Sequence, residues 1–174
     1  MTYRCHVPCG KLLLSIKGKR KTNIEYEILD MKEKIAAGLA ARTNNASPDM
    51  GAVIGGLWQR FYGEGIYDLI PGKTNGKALG IYSEYAADEK GDYTITVACE
   101  TDGTGELPEG TSVTVIPAGK YARFIVKGEM HEAVAKFWQK LWEIDLPRTY
   151  VCDYEEYQNS DMEQAEIHMY IGVK

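Results

Sequence analysis

The sequence predicts an α+β fold in which two similar β-α-β-β halves form one antiparallel sheet with two helices on one face. The first observation is a repeat, because residues 54–62 (IGGLWQRFY) return as residues 134–142 (VAKFWQKLW). The second is that a Tyr-x-x-Tyr segment follows each copy, at residues 82–85 and 154–157. Two copies of one unit indicate a pseudo-symmetric domain and not a solenoid. We therefore expect a pocket at the pseudo-two-fold seam between the halves.

The first half begins with a strand, since Ile24, Tyr26 and Ile28 alternate with glutamates. Residues 34–43 continue as a second strand. A helix start follows at Ser47-Pro48-Asp49, where Ser can cap and Asp suits the positive end of the helix dipole. Apolar residues then recur at helical spacing until Gly63-Glu64-Gly65 ends the helix. Residues 78–86 and 92–100 read as a hairpin.

The second half repeats this order. Residues 112–116 and 120–126 are predicted strands joined through a Pro-Ala-Gly turn. A second amphipathic helix covers the repeat and stops near Pro147. Strands follow at about 149–157 and 165–173. A chain of 174 residues is long enough for one well-filled core of this kind.

Charge divides the chain into a basic N-terminal appendage, residues 1–22, and a single domain, residues 23–174. The appendage carries six Lys and Arg with no acid, so the remainder carries −11 to give the net charge of −5. An acidic body is a poor nucleic-acid binder, because phosphate contacts need clustered Lys and Arg. No direct nucleic-acid binding is therefore expected, and the body favours cationic partners.

Four cysteines do not form a disulfide framework, and we expect a cytoplasmic protein with free thiols. No secretory signal and no stretch of about 20 apolar residues is present, so no membrane association is expected. Cys5-His6-x-x-Cys9 offers three ligands without a matching second cluster. A metal site is not predicted there, and no cofactor is predicted.

Candidate binding residues emerge where the two copies disagree. An offset of 72 residues aligns the strands at 94–99 and 166–171 and keeps an apolar face in both. On the opposite face, Thr94 and Thr96 correspond to Glu166 and His168. On a solvated face Glu166 is a routine surface acid. Inside a cavity its carboxylate would need a compensating cation or would become neutral, because an unpaired buried charge costs several kcal/mol.

An ordered set of motifs resembles a known family from about residue 23 to the C-terminus. The set comprises Tyr82-Ser83-Glu84-Tyr85, Gly91-Asp92-Tyr93, Leu107-Pro108-Glu109-Gly110, residues 116–122 (IPAGKYA), residues 153–157 (DYEEY) and residues 165–171 (AEIHMYI). Together they resemble the GyrI-like small-molecule-binding domain, also called the AraC effector-binding domain. The resemblance implies a duplicated β-α-β-β fold with a pocket between the halves. It also implies amphipathic, often cationic, aromatic ligands.

The resemblance further implies a central pocket acid surrounded by Trp and Tyr. Glu166 is the chosen match for the acid and Trp58 for an aromatic wall, with His168 and Glu100 as other polar candidates. Five aromatic residues are each open between pocket wall and ordinary packing, namely Trp58, Tyr82, Tyr85, Tyr121 and Trp142, and Trp138 is assigned to the core. The complete predicted ligand-binding set is Glu166, His168, Tyr170, Trp58, Tyr82, Tyr85, Tyr121, Trp142 and Glu100.

The predicted function is that of a stand-alone binding module that senses or sequesters an amphipathic, cationic aromatic small molecule. No catalytic residues are assigned. Two alternatives stay open, both implied by the resemblance. One is a hydrolase of cyclopropane-bearing toxins that uses a pocket Glu, and the other is a protein-binding inhibitor of a topoisomerase. A transcriptional role would act through a protein partner, and the oligomeric state is not predicted.

Overall fold

A computed structural model describes residues 24–174, which form one eight-stranded antiparallel sheet with three helices. The predictions for residues 1–22, including Cys5-His6-x-x-Cys9, lie outside the described residues. In chain order the elements are β1 (Glu27–Met31), β2 (Lys34–Thr43), α1 (Met50–Gly63), α2 (Ile66–Leu69), β3 (Lys73–Ser83), β4 (Tyr93–Thr101), β5 (Ser112–Ile116), β6 (Gly119–Gly128), α3 (Met130–Leu141), β7 (Arg148–Tyr157) and β8 (Ala165–Val173). The predicted α+β class and duplicated order of elements are confirmed.

The order of strands in the sheet shows the pseudo-two-fold symmetry directly. The order is β1-β6-β8-β7-β3-β4-β2-β5. Counted from the two edges inward, β1 corresponds to β5, β6 to β2, β8 to β4 and β7 to β3, so each strand has its counterpart in the other half at the same depth. The edge strands cross over, because β1 pairs with β6 of the second half and β5 pairs with β2 of the first. The two halves therefore meet where β3 pairs with β7, and the pseudo-two-fold axis passes between these strands.

The two long helices cover the flanks of the sheet and leave its centre open. Leu57 and Phe61 of α1 are buried in one apolar cluster with β2 and β4. The equivalent Phe137 and Leu141 of α3 are buried in another with β6 and β8. No equivalent helix lies over β3 and β7 among residues 24–174. This gap positions the site described below.

The opposite face of the curled sheet is filled by its own apolar cluster. Leu79, Ile81 and Tyr154 from the central strands are each at most 1% exposed there, packed with Tyr121 and Tyr170. The sheet therefore has two buried faces, and alternate residues of β3 and β7 enter different surroundings. Within residues 24–174, no helix is both long and apolar enough to cross a membrane.

Local details differ from the sequence-based expectations at element ends. The first strand begins at Glu27, three residues after the predicted Ile24, and Ile24 and Tyr26 instead pack beside the α3 cluster. The Ser47 side chain does not cap α1. Its hydroxyl bonds Asp49, whose backbone carbonyl accepts the first helical hydrogen bond from Val53 at 2.9 Å.

Close packing of β2 against β4 makes Gly38 a sensitive position. A Cβ added there would lie 1.9 Å from the carbonyl oxygen of Val97 and 2.6 Å from the Cα of Ala98. Both atoms belong to the backbone and cannot move without disturbing the strand pairing. We expect Gly38→Ala to lower the free energy of unfolding by about 1–3 kcal/mol or more, measured by urea denaturation.

Gly63→Ala is the matched control, because a Cβ on Gly63 meets no atom within 4 Å. Alanine near the end of α1 is expected to leave stability unchanged or to raise it by up to about 1 kcal/mol. Equal stabilities for the two variants would contradict the packing described for β2 and β4.

Candidate functional site

A cavity of about 1030 Å³ lies between α1 and α3, above the central strands β3 and β7. The two helices contribute equivalent residues to its walls, offset by 80 positions. These pairs are Met50 and Met130, Gly51 and His131, Ile54 and Val134, Gly55 and Ala135, Trp58 and Trp138, and Tyr62 and Trp142. The repeat that predicted the fold therefore supplies both walls of the cavity.

Strand register identifies which floor residues are equivalent. In the first half Val97 of β4 pairs with Gly80, and in the second half its counterpart Met169 of β8 pairs with Glu155. Gly80 and Glu155 are thus equivalent, and they also pair directly with each other across the seam. The pseudo-two-fold axis passes through this pair, which places the Glu155 side chain at the centre of the cavity floor.

Three neutral donors hold the Glu155 carboxylate. Tyr82 donates to Oε1 at 2.9 Å, Trp138 Nε1 donates to Oε1 at 2.9 Å, and Tyr157 donates to Oε2 at 2.7 Å. Tyr82 and Tyr157 are equivalent by the same register, and each packs edge-on against the Trp of one helix. A shell of two Tyr and two Trp therefore surrounds a single acid.

Gly80 provides the space for this acid. A Cβ on Gly80 would lie 2.9 Å from Glu155 Oε2 and 3.6 Å from the Trp58 ring. A second side chain on the axis would compete with the carboxylate for the same volume. Because Gly80 has no side chain, the longer side chain of Glu155 fits at the axis.

Burial raises the pKa of Glu155, although the hydrogen bonds from Tyr157, Trp138 and Tyr82 act in the opposite direction. The residue is only 2% exposed, so the ionised form has lost most of its hydration. Burial, and then the adjacent Glu155, raise the pKa values of Tyr82 and Tyr157 well above the usual range. Both hydroxyls therefore remain protonated donors at neutral pH.

A second polar group lies at the end of the cavity near the start of β7. Arg148 lines the cavity and pairs with the fully buried Asp153 at 2.6 Å. Asp153 also accepts hydrogen bonds from Tyr85 at 2.7 Å and from the backbone N–H of Gly172 at 2.9 Å. Glu89 lines this end of the cavity as well.

Four of the nine predicted binding residues line the cavity, namely Trp58, Tyr82, Tyr85 and Trp142. Tyr121 and Tyr170 lie in the cluster on the opposite face of the sheet. Glu100 pairs with Lys34 at 3.1 Å and does not line the cavity.

Glu166 and His168 also lie outside the cavity. Glu166 contacts His168 at 3.0 Å and Lys127 at 3.1 Å, and its side chain is 35% exposed. These two contacts, the first with His168, lower the pKa of Glu166. The carboxylate at the centre of this cavity is therefore Glu155 and not Glu166, because the cavity lies on the helix-facing side of the sheet and Glu166 occupies the other side.

The positions that sequence reasoning missed include Glu155, Tyr157, Trp138, Arg148 and Glu89. The Tyr-x-x-Tyr repeat aligns Tyr154 with Tyr82, whereas the strand register makes Tyr157 the counterpart of Tyr82. The repeat therefore predicts the wrong face for the side chains of β7. One signal was available, since the helices repeat at an offset of 80 and the last strands at 72. The strand between them need not follow either offset. Trp138, assigned to the core, instead donates to Glu155.

Among residues 24–174 there is no cluster of three His, Cys, Asp or Glu side chains able to hold a metal ion. The described site has an aromatic shell, one central carboxylate, and at its end the guanidinium of Arg148 and the carboxylate of Glu89. Such a site can bind by charge, stacking and apolar contact.

The raised pKa of Glu155 predicts a specific pH dependence of stability. Between about pH 4.5, where an unfolded Glu ionises, and the higher pKa of the folded state, the folded protein retains a proton that the unfolded chain releases. Stability therefore falls as pH rises through this window. Glutamine does not ionise, so we expect the Glu155→Gln variant to lose no stability through this window. The free energy of unfolding of the variant minus that of wild type should therefore be larger at pH 8 than at pH 4.

Urea denaturation of both proteins at both pH values measures this difference. Glu166→Gln is a control for which the opposite pH dependence is expected. The pKa of Glu166 is lowered, so its carboxylate stabilises the folded protein at neutral pH, and this stabilisation is lost as pH falls. A stability difference for Glu155→Gln that is the same at pH 4 and pH 8 would contradict the raised pKa.

Comparison with known proteins agrees with this architecture. Residues 27–173 match the family model described as Cass2, integron-associated effector binding protein. The Bacillus subtilis (strain 168) protein YobU, described as a candidate transcriptional regulator, is 30% identical over 153 residues, which cover 84% of this chain and 94% of YobU.

Two solved structures show similar folds. The integron cassette protein VCH_CASS2 of Vibrio cholerae has a TM-score of 0.71 at 26% identity, covering 86% of this chain and 95% of that one. SAV2435, solved with tetraphenylphosphonium bound, has a TM-score of 0.73 at 21% identity, covering 87% and 94%. The chain belongs to the Cass2 family of integron-associated effector binding proteins, which confirms the resemblance to effector-binding domains.

Proposed function

We propose that this protein binds an amphipathic, cationic aromatic small molecule in the cavity between α1 and α3, with Glu155 as the counter-charge. One observation carries the proposal. Glu155 is buried at the centre of a large cavity, and all three of its hydrogen-bond donors are neutral. Among the described residues, no Lys or Arg forms an ion pair with this carboxylate.

The electrostatics favour a cation. The desolvated carboxylate pays a cost for its charge, and a cation placed in the cavity offsets that cost. Three hydrogen bonds leave one of the roughly four lone-pair sites of the carboxylate unused. A ligand cation gains from the charge even without a direct hydrogen bond, because the surroundings are of low dielectric.

The walls favour an aromatic and apolar ligand. The two helices contribute four aromatic rings to the cavity walls, those of Trp58, Trp138, Tyr62 and Trp142. Each ring that meets a cation adds about 0.5–2 kcal/mol of cation–π attraction. A volume of about 1030 Å³ lies at the upper end of the range for small-molecule sites and accommodates several aromatic rings.

A structural neighbour supports this ligand class. SAV2435, which shares the fold, was solved with tetraphenylphosphonium, a cation with four aromatic rings. The relationship to YobU supports a role in sensing a ligand, with sequestration as the simpler form of the same activity. In both cases the proposed event is reversible binding.

We expect Glu155→Gln to weaken binding of tetraphenylphosphonium by about tenfold or more, equivalent to at least about 1.4 kcal/mol. The neutral amide keeps the shape of the side chain but removes the counter-charge. Isothermal titration calorimetry of both proteins measures the change, and mass spectrometry of the recovered ligand tests for turnover.

Glu166→Gln is the matched control and is expected to bind as wild type does, because Glu166 lies outside the cavity. A normal affinity for Glu155→Gln would overturn the proposal, and a weakened affinity for Glu166→Gln would show that the effect of such a change is not specific to the cavity. Conversion of the ligand would replace reversible binding with catalysis.

A second test uses the space that Gly80 provides. We expect Gly80→Ala to fold, because its Cβ meets the end of the Glu155 side chain and no backbone atom, but to displace the carboxylate and weaken tetraphenylphosphonium binding severalfold. Gly76→Ala lies on the same face of β3, also lines the cavity, and meets no atom within 4 Å. Equal affinities for the two variants would show that the position of the carboxylate does not control binding.

A further inference from the structure

The end of the cavity near the start of β7 contains a guanidinium whose hydrogen-bonding capacity is only partly used. Arg148 is 9% exposed and lines the cavity. Its Nη2 donates to Asp153 at 2.6 Å, and its guanidinium lies 4.3 Å from the Tyr150 ring centre. These contacts fix the position of the side chain. They engage one of its five N–H donors with Asp153.

The Nε atom of Arg148 is enclosed and donates to no acceptor among residues 24–174. This Nε–H has almost no exposed surface, so a ligand in the cavity cannot reach it. The Nη1 atom of the same guanidinium is not enclosed and forms no hydrogen bond with residues 24–174. The Asp153 pair and Tyr150 hold this rigid planar group in place, so Nη1 is a donor prepared in advance for a partner from outside the chain.

Lys73 is the counterpart of Arg148 in the first half, and its hydrogen-bond donors are used within the protein. The fold therefore does not require an unused donor at this position. Thr101 and Val173 are equivalent ends of β4 and β8, and they pair with Lys73 and Arg148. The Lys73 ammonium is occupied by the backbone carbonyls of Tyr67 at 2.9 Å and Ile70 at 2.6 Å. Lys73 does not line the cavity, whereas Arg148 does.

The charges around Arg148 select an uncharged partner. Asp153 already neutralises the guanidinium, and the Glu89 carboxylate, which lines the same end, accepts a hydrogen bond from Tyr150. A carboxylate or phosphate on the ligand would meet these two acids. A carbonyl, ester or ether oxygen would accept from the guanidinium without that repulsion.

We propose that the Arg148 guanidinium is a second polar contact for the ligand and donates to an uncharged acceptor oxygen. The inference rests on the proposed function and narrows its ligand class to cationic aromatic compounds that carry such an oxygen away from the charge. Asp153, which holds the guanidinium, and Glu155 are two residues apart on β7, about 7 Å along the strand. One aromatic ring between the charge and the oxygen spans a distance of this order.

Two matched probes test the proposal. One is tetraphenylphosphonium with an acetyl group at the para position of one ring, and the other carries an isopropenyl group there. The groups have nearly the same shape and the same overall charge, but only acetyl has an acceptor oxygen. We expect wild type to bind the acetyl probe about tenfold more tightly, a typical effect of one hydrogen bond to a charged group.

Variants separate the two polar contacts. Arg148→Met combined with Asp153→Asn removes both partners of the ion pair, so that no unpaired charge stays buried, and the preference for acetyl should disappear. Arg148→Lys, which keeps a cation opposite Asp153 but lacks the second terminal nitrogen of the guanidinium, is the second variant, and the preference should fall. Glu155→Gln should weaken both probes equally and leave their ratio unchanged. Cooperative thermal unfolding verifies that each variant is folded.

The outcomes distinguish this proposal from the function on which it rests. Failure of wild type to bind either probe would overturn the proposed function and the Arg148 contact with it. Equal affinity for the two probes, or a preference that persists in the folded Arg148 variants, would overturn the Arg148 contact alone. A preference lost in the Arg148 variants and kept in Glu155→Gln supports the proposal.

Discussion

The antiparallel pairing of β3 with β7 sets the position of the cavity and of its central acid. It joins the two halves into one continuous sheet and places the pseudo-two-fold axis on the pair formed by Gly80 and Glu155. Near such an axis, identical large side chains would occupy the same space. The protein avoids this conflict with a glycine in one half and an acid in the other. The cavity walls can therefore be nearly symmetric while the charge at the floor is single.

The surroundings of Glu155 balance stability against availability for a ligand. Tyr82, Tyr157 and Trp138 satisfy part of the carboxylate by hydrogen bonds, which allows it to be buried at all. These three donors are neutral, so they do not neutralise the charge of the carboxylate, and burial raises the pKa of Glu155. An Arg or Lys partner would stabilise the charge more fully but would leave nothing for a cation to gain. The aromatic shell thus serves both the fold and the proposed binding.

Much of the architecture could be predicted, because it depends on short-range patterns. The spacing of Leu57 and Phe61, and of Phe137 and Leu141, marks the helix faces that pack on the sheet. Trp58 was placed in the cavity by the same pattern together with the resemblance to effector-binding domains. The central acid was missed because a shift of one residue reverses the face of every side chain in a strand. The Tyr-x-x-Tyr repeat aligns Tyr154 with Tyr82, and this alignment places Glu155 on the face of the sheet opposite the cavity.

Local sequence patterns are sufficient to specify the number and order of the strands and of the two long helices, their duplication, and the apolar faces of the helices and of the last strand. These properties follow from periodicities of 2 and 3.6 residues. The short helix α2 was not predicted, because four residues are too few to show a helical periodicity. The three-dimensional packing alone places both long helices over the flanks and leaves β3 and β7 open between them. It also brings Arg148 to the cavity and leaves Lys73 outside. The pairing of Gly80 with Glu155 depends on the register between strands more than 70 residues apart, which no local pattern specifies.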